Sequence, residues 1–265
     1  MRVDYHVHTC YSYDCETSLE AVLARAREAG IRCVCVTDHG TMEGALELTR
    51  MAPPEIEIVV GCEFTTDDGS HVIGLGLTDM IAEKRILHLS GRIRDQGGLV
   101  LLPHPFRRGS GVFRTEMRRS EHFVRDVLSA ADLVECFNGR DTHVNNQRSY
   151  RLALDRGLPA VAGSDAHTEA EIGSVFVEYA DDDRVHGESP RRVFFADQPP
   201  LGENQLKRRL MEVYHRHQAS LPAVVGAAYG ISRRRLRRDV PRKTDAAIRM
   251  QYDFLPMDSP SGDRP

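Results

Sequence analysis

The sequence predicts an α/β fold wound into a closed, TIM-like barrel, followed by a helical extension. Three observations carry this. Short β-patterned stretches alternate with helix-patterned stretches seven or eight times, the order expected of a parallel sheet closed into a barrel. The stretch Cys33-Val34-Cys35-Val36 is apolar throughout, as in a strand covered on both faces. Ionisable residues recur where the strands end, which in a barrel of this kind is a single rim.

The elements follow in order. Val3 to Thr9 alternates with period two and reads as the first strand, so His6 and His8 point to the same side. Thr17 to Gly30 reads as a helix, with Ser18 as N-cap, Leu19, Val22, Leu23 and Ala26 at helical spacing, and Gly30 as the stop. Ile31 to Asp38 is the second strand, and Met42 to Met51 a helix broken by Pro53-Pro54. Ile56 to Phe64 is the third strand. The turn Asp67-Asp68-Gly69-Ser70 is too short for a crossover helix, so the fourth strand, His71 to Leu77, is expected to run reversed or irregularly beside it. A helix from Ala82 to Gln96 stops at Gly97-Gly98, before a strand from Leu99 to Leu102. After the Arg107–Arg114 loop, one or two helices span Thr115 to Ala131. Strand Leu133 to Phe137, helix Thr142 to Arg156, strand Pro159 to Ala162 and a short strand Ser174 to Tyr179 complete the barrel.

The barrel is assigned to residues 1–183 and the extension to 184–265. In the extension, 203–218 and 221–229 read as helices, and from Arg233 to Lys243 seven basic residues face one acid. That run is either a solvated helix face or an electrostatic contact for phosphate or nucleic acid. The tail from Asp258, rich in Ser, Pro and Gly, is expected to be disordered.

Composition narrows the function. The 265 residues are 41% hydrophobic and 28% charged with net charge −4, so no global positive field favours nucleic acid or acidic membranes. No apolar run reaches the about 20 residues of a membrane span, and the N-terminus enters a strand directly without a secretory pattern. The six cysteines make no zinc-ribbon spacing, and Cys33 and Cys35 read as buried free thiols. The expectation is a cytoplasmic, reduced protein.

Nine nitrogen and oxygen donors collect at the strand ends. These are His6, His8, Asp14, His39, Glu63, His71, His104, Asp165 and His167. Any one of them alone reads as a satisfied histidine or carboxylate. Together they exceed the four to six ligands of one ion, which implies two or three divalent ions with Glu63 as a bridge. Imidazole and carboxylate donors without thiolates suit Zn, Mn or Fe better than Ca.

The set His6-x-His8, Thr37-Asp38-His39, Gly61-x-Glu63, His71, His104-Pro105 and Ser164-Asp165-x-His167 resembles the PHP family, named for polymerase and histidinol phosphatase, from about Arg2 to Tyr179. The resemblance implies a distorted (β/α)7 barrel with a trinuclear metal site. It implies one metal at His6, His8, Glu63 and Asp165. A second would use Asp14 and His39, with Asp165 or a neighbouring His, and a third Glu63, His71, His104 and His167. Asp14 stands where some relatives have His. Between His71 and His104 there is no inserted helical domain of the kind some relatives carry over the site.

The implied activity is hydrolysis of a small phosphomonoester or nucleotide, with metal-activated hydroxide attacking phosphorus. Asp165, His167 and Glu63 are the expected catalytic centre, and Arg107, Arg140 and Asn138 the expected substrate contacts. Arg108 and His143 read mainly as surface residues. Glu135 and Asn138 are placed to orient substrate or support metal-binding histidines. Tyr11 and Tyr13 flank the mouth, either to stack on a base or to cap the barrel. One rival is a nuclease or phosphodiesterase that grips nucleic acid through Arg233–Arg238. An amidohydrolase-type barrel is the other, and it lacks the final Asp-x-His pair and commonly uses a lysine that no strand end here supplies. The substrate expected is a small phosphorylated molecule, with nucleic acid not favoured and no membrane.

Overall fold

In the computed structural model the described residues are 1–179, together with the backbone of 192–195 and 251–253. The expected boundary at 183, the helices 203–218 and 221–229, the basic run and the tail lie outside them.

The chain begins in β1 (Arg2–Val7), runs through α1 (Leu19–Ala29) to β2 (Cys33–Val36), then through α2 (Glu43–Met51) to β3 (Glu57–Thr65). A hairpin leads to β4 (His71–Leu75), and α3 (Ile86–Asp95) to β5 (Leu99–Leu102). Next come α4 (Glu121–Ser129), β6 (Leu133–Asn138), α5 (His143–Arg156), β7 (Ala160–Gly163) and β8 (Val175–Glu178). Two further strands, β9 (Arg192–Phe195) and β10 (Gln251–Asp253), extend the sheet beyond β8.

The sheet order is β10-β9-β8-β1-β2-β3-β4-β5-β6-β7. β4 pairs antiparallel with both β3 and β5, as the short turn before it requires, while the pairs β1–β2, β2–β3, β5–β6 and β6–β7 are parallel. The ring closes just past β7. The amide of Asp165 donates to the carbonyl of His6 at 2.7 Å, and that of His8 to the carbonyl of Ala166 at 3.0 Å. β8 pairs antiparallel with the first residues of β1, Arg2 and Val3, so β1 is shared between β8 at its start and the β7 end at its finish. This is an α/β barrel of eight strands, nearly closed and distorted at that seam.

Two register slips shape the seam. Asp4 pairs with Val34 but Val7 with Val36, so β1 carries one extra residue there. Tyr5 can then close the apolar layer below while His6 and His8 both face the rim. A second slip lies in β6 between Glu135 and Phe137.

Tyr5, Cys33, Cys35, Ile73, Leu75 and Leu101 share one buried apolar cluster, which floors the site. Two further clusters seat α1 and α2 on β1 and β2, and α3 and α4 on β3 to β5. Cys33→Ala removes a fully buried small side chain from the floor and is expected to lower stability by about 1 kcal/mol without altering catalytic rate, checked by denaturant unfolding beside steady-state kinetics.

The helices expected within the described residues hold, with shifted ends. Ser18 caps α1, accepting from the Ala21 amide at 3.2 Å, and Gly30 ends it with φ 69°. The helix expected from Ala82 starts at Ile86, because the Glu83 carboxylate takes the amides of Lys84 and Arg85 at 2.9 Å each and the Lys84 carbonyl accepts from Asp67. The Thr115–Ala131 stretch breaks at Arg118, whose φ is 42°, and restarts at the Ser120 cap. No helix among the described residues is long and apolar enough to cross a membrane.

Candidate metal centre

All nine donors meet on the rim formed by the strand ends. His6, on β1, and His8, just past its end, bring their Nε2 atoms within 3.0 Å of each other. Glu63 leaves β3 into the middle of the cluster. Its Oε1 lies 2.7 Å from His71 Nδ1 and 3.1 Å from His104 Nε2. Its Oε2 lies 3.4 Å from both His6 and His8 Nε2 and 3.3 Å from His39 Nδ1. Asp165 Oδ1 stands 3.5 Å from His6, 3.4 Å from His8 and 3.5 Å from His167. Asp14 Oδ2 stands 3.1 Å from His167 Nε2 and 3.6 Å from His39 Nε2. Their side chains are buried, His71 the most accessible at 11%.

Donor atoms within 4.8 Å of one another form four overlapping groups: His8, Asp14, His39 and His167; His6, His8 and Glu63; His6, His104 and Asp165; and His39, Glu63 and His71. Two placements differ from the expected grouping. His104 falls with His6 and Asp165. His167 sits with Asp14, His8 and His39, not with His71 and His104, because the loop after β7 turns it toward the loop after β1. Glu63 belongs to two groups, as a bridging ligand must.

The electrostatics prepare these groups for a cation. Burial alone would raise Glu63, but His71, His39 and His6 around it hold its carboxyl well below the usual range. Asp165 is likewise held well below against burial by Arg107 and His6, and Asp14 is lowered against burial by His167 and His39. Burial lowers His39, burial and the Arg107 charge lower His104 strongly, and burial with the neighbouring His8 brings His167 down to about 3. At His6 and His8 burial is overcome by the carboxylates. Glu135, Asp165 and Glu63 raise His6 well above its ordinary value, and Asp165 and Glu63 push His8 up to about 9. The three carboxylates are thus held in the ionised form and His39, His104 and His167 in the neutral form, the states that ligate a divalent cation. Among the described residues, the buried Nδ1 of His104 has no hydrogen-bond partner. Nitrogen and oxygen donors facing one another, with no apolar group between them, fit a cluster of divalent metal ions. Two of the donors also hold unusual backbone: His104 has φ 28° and Asp165 φ 53°, conformations that cost energy and persist where the surrounding structure enforces them.

A ring of supports fixes the donors. Glu135, fully buried on β6, meets His6 Nδ1 with Oε1 at 3.0 Å and accepts the His104 amide on Oε2 at 2.7 Å. Glu135→Gln is expected to weaken metal binding by roughly 10- to 100-fold, read by competition with a chelating dye. Ser12 Oγ meets His8 Nδ1 at 3.1 Å and accepts the His39 amide at 2.9 Å. Glu171 Oε2 accepts the amides of His167 and Thr168 at 2.8 and 3.0 Å. Asp4, pushed up to about 6 by burial, accepts the Ser164 amide at 2.8 Å. Sequence reasoning missed Ser12, Glu171 and Asp4. Only Glu171 had a local signal, the Thr168-x-x-Glu171 capping box.

The expected substrate residues divide. Arg107 stands at the rim, its guanidinium donating to Asp165 Oδ2 at 2.7 Å and to Asn138 Oδ1 at 2.5 Å. Asn138, expected either to contact substrate or to support the metal-binding histidines, is engaged by its neighbours. It is fully buried, its Oδ1 also accepts the Arg140 amide at 2.9 Å, and its Nδ2 donates to Glu135 at 2.9 Å. Arg140 is buried, with its Nε 3.8 Å from Glu171, so its charge sits beside the His167 support. Arg108 is exposed and pairs with Glu116, and His143 is exposed on the first turn of α5.

Such a fold and site define an α/β barrel built to bind metal through histidines and carboxylates. The family model for the PHP domain matches residues 4–102, and the model described as PHP-associated matches residues 143–188. An uncharacterized protein of Methanocaldococcus jannaschii, MJ1587, is 33% identical over 122 residues, covering 40% of this chain and 68% of that one. This chain belongs to the PHP family. Among solved structures, a two-domain protein of Bacteroides vulgatus containing a predicted PHP-like metal-dependent phosphoesterase superposes with a TM-score of 0.54 at 17% identity, covering 67% of this chain and 58% of that one. Endonuclease Q, solved with a duplex bearing an abasic lesion at its active site, superposes at 0.50 with 14% identity, covering 75% and 53%. Both likenesses are of fold.

Proposed function

We propose that this PHP-family protein is a metal-dependent phosphoesterase that hydrolyses a small phosphomonoester or nucleotide. The observation that supports it is the convergence of nine buried donors beside an arginine fixed at the same rim. The donor chemistry suits two or three Zn, Mn or Fe ions. Such ions, when bound, supply a water activated near neutral pH and positive charge for phosphate oxygens.

The chain's own residues do the rest. Glu63, His6, His8 and Asp165 hold the centre of the cluster, Asp14, His39 and His167 one flank, and His71 and His104 the other. Arg107 uses two of its five N–H groups on Asp165 and Asn138, which leaves donors for a non-bridging phosphoryl oxygen. In the reaction the phosphorus–oxygen bond to the alcohol breaks, one to the oxygen of water forms, and the alcohol leaves with a proton.

A second reading, a nuclease or phosphodiesterase, draws on the fold shared with Endonuclease Q. The amidohydrolase reading is weakened because the lone lysine among the described residues, Lys84, is exposed. The test is phosphate release by the metal-supplemented protein from histidinol phosphate, nucleoside monophosphates, a sugar phosphate, a cyclic nucleotide and a short oligonucleotide. Release from one monoester class, abolished by chelation, is the expected result. Turnover of the oligonucleotide or cyclic nucleotide alone would favour the second reading. A fully metal-loaded protein inert on every substrate would overturn the proposal.

A further inference from the structure

Beside the cluster lies a pocket of about 300 Å³, and the two share His39. Toward the cluster, His39 places Nδ1 3.3 Å from Glu63 and Nε2 3.6 Å from Asp14. Tyr13 stacks on its ring at 5.0 Å between centroids with planes 26° apart. Phe64, Met80 and Ile81 also line the pocket, together with Thr65, Glu83 and Lys84. Tyr13 is 67% exposed and Met80 49%, so apolar surface is left facing water next to the candidate chemistry.

The shape and chemistry select an occupant. A pocket of this size is at the small end for ligand sites, suited to one ring-bearing group and not to a polymer strand. Tyr13 remains largely exposed while stacked on His39, and flat groups gain by packing against such a ring. A phosphoryl group resting on the cluster would direct its alcohol portion past His39 into this space. Resting on the phosphoesterase reading above, we infer that the substrate's leaving group carries a flat apolar ring, aromatic or nucleobase, seated against Tyr13 and the Phe64–Ile81 wall.

The test uses benzyl phosphate and ethyl phosphate, whose alcohols are similar in acidity, so that a difference reports binding of the ring. The metal-loaded wild type is expected to prefer benzyl phosphate in kcat/KM. In Tyr13→Ala the benzyl-to-ethyl ratio should fall about 3- to 10-fold, mainly through KM, with metal content unchanged. Ile81→Asp should move the ratio the same way. A ratio near one in the wild type, or unaltered in both variants, overturns the inference. Calorimetry with the non-hydrolysable benzylphosphonate and ethylphosphonate separates the two readings. Tighter benzylphosphonate binding that Tyr13→Ala removes, in a metal-loaded protein that hydrolyses neither ester nor any substrate of the panel above, would retain the pocket and refute the phosphoesterase. Equal binding of the two phosphonates beside normal phosphate release would do the reverse.

Discussion

Glu63→Gln is expected to lose at least one metal ion per chain and to reduce phosphoester hydrolysis by roughly 10³-fold or more. The reason is the crowding on one carboxylate. Five imidazoles, those of His6, His8, His39, His71 and His104, approach its two oxygens within 3.4 Å. An amide of the same shape removes the negative charge that several cations would share, and turns an N–H₂ group toward nitrogens that should be ligating. Against its burial, four of these imidazoles, those of His71, His39, His6 and His104, hold this carboxyl well below the usual carboxylate range. Elemental analysis beside a phosphate-release assay checks the prediction, with circular dichroism to show that the barrel remains folded. Wild-type metal content and turnover in the variant would remove Glu63 from its bridging place. Asp165→Asn is expected to act similarly, with the added loss of the charge that anchors Arg107 at 2.7 Å.

Gly163→Ala is expected to destabilise the protein by about 3 kcal/mol, lowering Tm by roughly 6–12 °C. A methyl group there would stand 2.4 Å from His6 Cβ, 2.7 Å from its backbone nitrogen and 2.9 Å from Glu135 Oε1. Two of those neighbours are the β1 strand itself, which cannot rotate aside as a flexible side chain would. The strand must shift, which opens the barrel seam and draws His6 from its 3.0 Å contact with Glu135. Thermal melting and metal content should therefore fall together. A variant that melts with the wild type and holds its metal would show that the seam is looser than the close approach of β7 to His6 implies.

Much of this was legible in the sequence. Period-two spacing put His6 and His8 on one side, and a four-residue turn forced β4 to run backward, which in turn brought His71 to the rim as the first residue of its strand. Ligands at strand ends are readable because a barrel collects those ends at one face. What was not legible depends on contacts far apart in the chain. The extra residue in β1 shows only against β2, and the commitment of Asn138 to Glu135 and Arg107 shows only once β6 lies beside the loop after β5. His167 joined Asp14 instead of His104 because the loop after β7, with Asp165 at φ 53°, sets its direction, and no spacing rule encodes that turn. Ser12 was hidden for the same reason: a serine in a loop becomes a histidine support only when β2 delivers the His39 amide to it.

The central claim is that the nine donors form one multinuclear metal centre. The most direct measurement is the number of divalent ions per chain, by elemental analysis of purified, metal-supplemented protein after removal of loosely held ions. Two to three Mn, Fe or Zn per chain is the predicted result. One ion or none would contradict it, and would leave the convergence of six histidines on three carboxylates without the ligand it was built to hold.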